Sequence, residues 1–93
     1  MDKDEAGEIL ARTLSDLRTR SYDDLRSMME TVRTETVESP SGAVYQIEIQ
    51  VFWDDKPEQD LRVMGSIDDG GLSALRPLSD DFIIAPDGSL VGE

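Results

Sequence analysis

Tyr45, Ile47, Ile49, Val51 and Trp53 alternate with Gln46, Glu48, Gln50 and Phe52, and after the loop Asp54–Asp60 the same period returns at Leu61, Val63, Gly65 and Ile67. A period of two sends successive side chains to opposite faces of a strand. The stretch therefore predicts an antiparallel hairpin with one buried and one open face. Matching the two faces places Trp53 opposite Leu61, Phe52 opposite Arg62 and Gln50 opposite Met64.

The rest of the chain is expected to build around that hairpin. Ala6, Ile9, Leu10, Thr13, Leu14 and Leu17 recur at three- and four-residue steps, which predicts an amphipathic helix. Acidic residues in its first turn and Arg18 and Arg20 in its last suit the helix dipole. A break is expected near Thr19 to Ser21, with Ser21 as N-cap, Asp24 as its partner and a second helix carrying Tyr22, Leu25, Met28 and Met29.

Val32–Val37 reads as a strand, followed by the turn cluster Ser39-Pro40-Ser41-Gly42. Pairing Val37 with Val44 puts Arg33 and Glu35 on the open face, opposite Glu48 and Gln46, with Val32, Thr34 and Thr36 inside. A one-residue slip would bury two charges, at a cost on the order of several kcal/mol per ion. Asp68-Asp69-Gly70-Gly71 signals a hairpin turn, with Leu72–Arg76 as the fourth strand. Phe82-Ile83-Ile84 and Leu90-Val91 are then a last strand or extended tail closing over an edge.

The expected architecture is one two-layer α+β domain over residues 1–93, helical through 1–30 and sheet and tail through 31–93. An N-terminal helix pair packs on one face of a four-stranded antiparallel meander sheet.

Composition narrows the function classes. The formal charge is −12, from 21 acidic and 9 basic residues, which opposes nucleic acid and anionic lipid as partners. It favours a basic protein partner, or it serves general solvation; two lysines against seven arginines and 13 aspartates also suit adaptation to high salt. Cysteine and histidine are both absent, which removes thiolate chemistry, the commonest general base and the commonest metal ligand. The acidic start has no apolar run behind it, and no stretch approaches a membrane span of ~20 residues, so a cytoplasmic location is expected.

The chemistry-bearing candidates are few. Asp54, Asp55, Asp80 and Asp81 form an oxygen-rich corner for a divalent cation if the fourth strand returns to that end. Loop carboxylates otherwise act as soluble caps, and no calcium-loop pattern is present. Trp53 is expected in the core at the strand end, and the hydroxyls of Tyr22 and Tyr45 at water.

The open face is expected to carry Arg33, Glu35, Val37, Val44, Gln46, Glu48, Gln50, Phe52, Arg62, Met64 and Ser66. Its large apolar groups within a polar rim suit contact with another protein or a second copy of the chain. The stretch Tyr45–Asp55, with Asp68-Asp69-Gly70-Gly71 and the ending Asp81–Glu93, resembles small uncharacterised bacterial proteins, a resemblance that brings no activity. The expected function is that of a non-enzymatic interaction domain, a homodimer or an acidic, immunity-like binder, with no cofactor. The rival is a small-ligand or divalent-metal-dependent enzyme at the aspartate corner.

Overall fold

The computed structural model describes residues 1–92, with side chains for all of these except 72 and 73. The chain is an α+β fold: an N-terminal helix α1 (Lys3–Leu17), a single helical turn α2 (Tyr22–Arg26), and an open antiparallel sheet. Its five strands follow chain order, β1 (Arg33–Glu38), β2 (Val44–Trp53), β3 (Leu61–Asp68), β4 (Leu78–Ile84) and β5 (Leu90–Val91). Among the described residues, no helix is long and apolar enough to cross a membrane.

Helix α1 starts where Asp2 accepts the Glu5 N–H at 3.0 Å, and Asp4 and Glu5 fill its acidic first turn. It buries Ala6, Leu10, Leu14 and Leu17, and it stops with Arg18 as C-cap, so neither Arg18 nor Arg20 lies in its last turn. Ser21 caps α2 by accepting the Asp24 N–H, the expected pair. Helix α1 lies over β3 and β4, and α2 over β2 and β3. Tyr45, Ile47, Ile49, Val51, Leu61, Val63, Ile67, Phe82 and Ile84 meet the helices in one core.

The β2–β3 register agrees with the sequence expectation at each named pair, including Trp53 with Leu61 and Phe52 with Arg62. The β1 register does not. Glu38 faces Val44 and Val37 faces Tyr45, so Arg33, Glu35 and Val37 lie on the helix side of the sheet. The turn sets the slip: the Ser39 N–H donates to Ala43 O and the Gly42 N–H to Ser39 O, closing a loop one residue shorter than Val37–Val44 pairing requires. The expected burial cost is not incurred in full, because α1 sits mainly over β3 and β4 and leaves β1 only half-covered. The Arg33 and Glu35 side chains stay 40% and 33% exposed and pair with each other.

The region after β3 also differs from expectation. Gly70 and Gly71 have φ of +81° and +55°, and they lead into a 3-10 turn over Gly71–Leu75 instead of a strand at Leu72–Arg76. The fourth strand is Leu78–Ile84, so Phe82-Ile83-Ile84 belongs to the sheet proper and Leu90–Val91 forms a fifth strand on it. Burial explains the choice: Phe82 and Ile84 place two side chains in the core at 4% and 1% exposure, whereas Leu75 is 79% exposed.

Gly65 sits where α1 comes closest to the sheet. A Cβ there would stand 2.9 Å from Leu10 Cδ1 and 3.2 Å from both Ile49 Cδ1 and Leu14 Cδ2. Gly65→Val should therefore overpack the interface and cost about 1–3 kcal/mol, with the melting temperature falling by roughly 4–8 °C per kcal/mol. Gly65→Ala, which meets movable side-chain tips alone, should stay within about 1 kcal/mol of the parent. Urea and thermal melts of the two variants check both values.

Candidate functional site

The face of the sheet turned away from the helices is built by the strand registers. Phe52, Arg62, Ile83 and Val91 form one row across β2 to β5. Gln50, Met64 and Asp81 form the next, then Thr34, Glu48, Ser66 and Ser79, then Thr36, Gln46 and Asp68, with Glu38 and Val44 at the far end. The apolar groups thus gather at one end, where Phe52 and Val91 are 37% and 43% exposed and Met64 and Ile83 are half-buried. Val44 stands apart beside Glu38.

Eight of the expected face residues, Val44, Gln46, Glu48, Gln50, Phe52, Arg62, Met64 and Ser66, do share this side. Arg33, Glu35 and Val37 do not; the β1 register turns them to the helix side. Ile83 and Val91 were not among the expected residues. Phe82-Ile83-Ile84 is a continuous apolar run, which signals a last strand or extended tail but not which of its side chains faces outward.

Arg62 organises the apolar end. Its Nε and Nη2 reach Oδ1 of Asp54 at 2.9 and 2.7 Å, and its Nη1 donates to Asp81. The Asp54 hydrogen bond first and the Asp81 hydrogen bond second hold the guanidinium pKa above its ordinary value. Two carboxylates of the expected metal corner therefore face a cation supplied by the chain. Asp80 lies on the other side of the sheet, opposite Gly65, where its carboxylate accepts the Asp81 N–H at 2.8 Å, and Asp55 is exposed in the β2–β3 loop. Among the described residues, no three carboxylates come together in a group able to hold a metal ion.

At the Trp53 end, the indole lies half-buried on the helix side with the Arg26 guanidinium 5.1 Å from the ring centroid. Arg26 also pairs with Glu58 at 2.6 Å, and the Tyr22 hydroxyl donates to Gln59 O at 2.5 Å, so α2 clamps the β2–β3 loop. Glu58 holds a left-handed backbone, φ +69°, the one non-glycine residue to do so among those described.

The Tyr45 hydroxyl is likewise turned inward. It donates to Oε1 of Glu5 at 2.8 Å, and the Ser39 and Ser41 hydroxyls donate to the same oxygen at 2.9 Å. These bonds, Tyr45 first, hold the Glu5 carboxyl below its ordinary 4.5, and Glu5 in turn pushes the Tyr45 phenol up to about 12. A carboxylate so stabilised is a poor base toward a serine hydroxyl, so the cluster fastens α1 to the β1–β2 turn.

The sign follows from the direction. Glu5 contributes stability that is complete above pH 4.5 and fades as pH falls through its lowered folded value. Tyr45 contributes stability present below pH 10 and lost as pH rises through about 12. Glu5→Gln should lower the neutral-pH melting temperature by roughly 5 °C and flatten its decline in acid, read by calorimetry across a pH series. Millimolar Mg²⁺ or Ca²⁺ at constant ionic strength should leave the parent melting temperature within about 1 °C and raise that of Arg62→Ala, in which Asp54 and Asp81 are released. No family model, curated protein or solved structure matches the chain.

Proposed function

We propose that this chain is a non-enzymatic protein-interaction domain whose contact surface is the open face of the sheet. The observation that carries the reading is the row Phe52, Arg62, Ile83 and Val91, with Met64 beside it, on a face that no other layer of the described residues covers. Aromatic and Met anchors around a guanidinium, rimmed by Gln50, Glu48 and Ser66, have the composition of a protein contact. Arg62 is already held by two carboxylates, so docking would not pay to order it.

Two occupants fit this face. One is a second copy, giving a homodimer through the apolar end. The other is a basic protein that the acidic chain neutralises, as the −12 charge favours by steering a cationic partner. Chemistry within the chain supports contact over catalysis: the cluster with the most hydroxyl donors is wired to Glu5 in a way that lowers its basicity, and Arg62 occupies the aspartate corner.

Sedimentation of the parent and of Met64→Asp with Ile83→Lys tests the reading. A dimer that the paired substitution converts to monomer, with the melting temperature changed by less than about 3 °C, supports the homodimer. A parent monomer that retains a basic protein at low salt and loses it in the paired variant supports the acidic binder. A monomer in which outer-face substitutions alter neither assembly nor retention of any protein overturns the reading.

A further inference from the structure

The edges of this sheet are guarded along most of their length. Strand β5 leaves Leu78–Phe82 of β4 unpaired, but that stretch carries two aspartates, and the Asp80 carboxylate takes the Asp81 N–H. Strand β1 turns the charged Arg33 and Glu35 inward, and β5 is two residues long. Inward charges and short edge strands both keep a sheet from adding further strands. Strand β2, however, outruns β1. The last β1–β2 pair is Arg33 with Ile49, while β2 continues to Trp53, so Gln50–Trp53 is paired on its β3 side alone.

Hydrogen-bond parity shows what this gap offers. The Ser39 N–H donates to Ala43 O at the β1–β2 turn, and the Asp54 N–H donates to Asp60 O at the β2–β3 loop. Stepping each ladder by two residues, odd-numbered residues of β2 bond toward β1 and even-numbered ones toward β3. Val51 and Trp53 therefore aim their N–H and C=O groups at the open side, along the line β1 would have followed. The connector 27–32 does not take them. Its backbone bonds are local, from the Met28, Met29 and Thr31 N–H groups to Leu25, Arg26 and Met28 carbonyls.

A hollow of about 230 Å³ separates the connector from β2, with Met29, Glu30, Val32 and Phe52 in its wall. It lies beside a second of about 580 Å³, which Met29 and Glu30 also line, between Arg26 and Trp53. Val32 and Phe52 are two of the few large apolar side chains this chain exposes, at 52% and 37%.

The charge selects the occupant. Arg26 is answered by Glu58, whereas Glu30 at the lip and Glu48 farther along the outer side of β2 have no ion pair among the described residues. A second copy would bring another chain of charge −12 to this acidic edge. We infer that the free edge at Val51 and Trp53 binds an extended segment of a partner protein, alternating basic and apolar residues, as an added strand. This rests on the main-chain edge of β2, which shares Phe52 and Glu48 with the open face but neither Met64 nor Ile83, so Met64→Asp with Ile83→Lys should leave it unchanged.

The test uses an acetylated, amidated hexapeptide of alternating lysine and valine on the whole chain. Trp53, the single tryptophan, reports by fluorescence, and amide exchange reads Val51 and Trp53. The expected result is saturable binding that weakens with salt, protects those two amides, and drops about tenfold in Glu30→Lys. A peptide N-methylated at alternate amides, which keeps its charge but cannot complete a ladder, should not bind. Equal binding of the N-methylated peptide, equal binding of a glutamate–valine peptide, or no saturable change with the lysine–valine peptide would each overturn the proposal. So would Trp53 emission and protection that vary with protein concentration alone, which would put a second copy on the edge.

Discussion

The approach of Leu10 and Leu14 onto Gly65 sets where everything else in this molecule lies. Because β3 has no side chain at that point, α1 can settle over β3 and β4. A helix centred there covers the inner face of the middle strands and leaves β1 at the rim of the lid, half-buried. A strand so placed can carry Arg33 and Glu35 on its inner side, since both remain in reach of water and of each other.

This placement also explains which parts of the fold were legible in the sequence. The β2–β3 pairing could be read because two alternating runs must agree on one buried face, and shifting either by one residue would expose Ile47, Ile49 and Val63. The β1 pairing could not be read that way. Its expectation rested on a desolvation penalty that assumed a lid over every strand, and the position of a helix across a sheet is a tertiary fact with no local signature. The Gly70-Gly71 pair was correctly a site of positive φ, but positive φ does not distinguish a tight hairpin from an exit into a 3-10 turn. The open face was visible as far as β2 and β3 reached. Its β4 and β5 share was hidden by the same misplaced strand.

The cations of this acidic chain are used close to home. Arg62 lies between Asp54 and Asp81, Arg33 against Glu35, Arg26 between Trp53 and Glu58, and Arg18 over the Phe82 ring at 5.0 Å. Arginine suits these positions because its planar group stacks on rings and forks onto carboxylates, which a lysine ammonium does not do. Exposed carboxylates with no ion pair among the described residues, such as Asp4, Glu8, Asp23, Glu38 and Glu48, lie on helices and strands as well as turns, so the negative charge is spread over the surface.

The left-handed Glu58 separates the two ends of the molecule in character. At the Glu5 end, three hydroxyls converge on one carboxylate with no unusual backbone, so that end is tied firmly. At the other, the carboxylate that reaches Arg26 is delivered by a residue in a conformation that costs about 1–3 kcal/mol for a side chain of its kind. The Arg26–Glu58 pair and the Tyr22–Gln59 bond hold that conformation against α2, so the loop and the single helical turn are expected to open together. Opening there would free the indole while Glu5 still ties α1 to the β1–β2 turn.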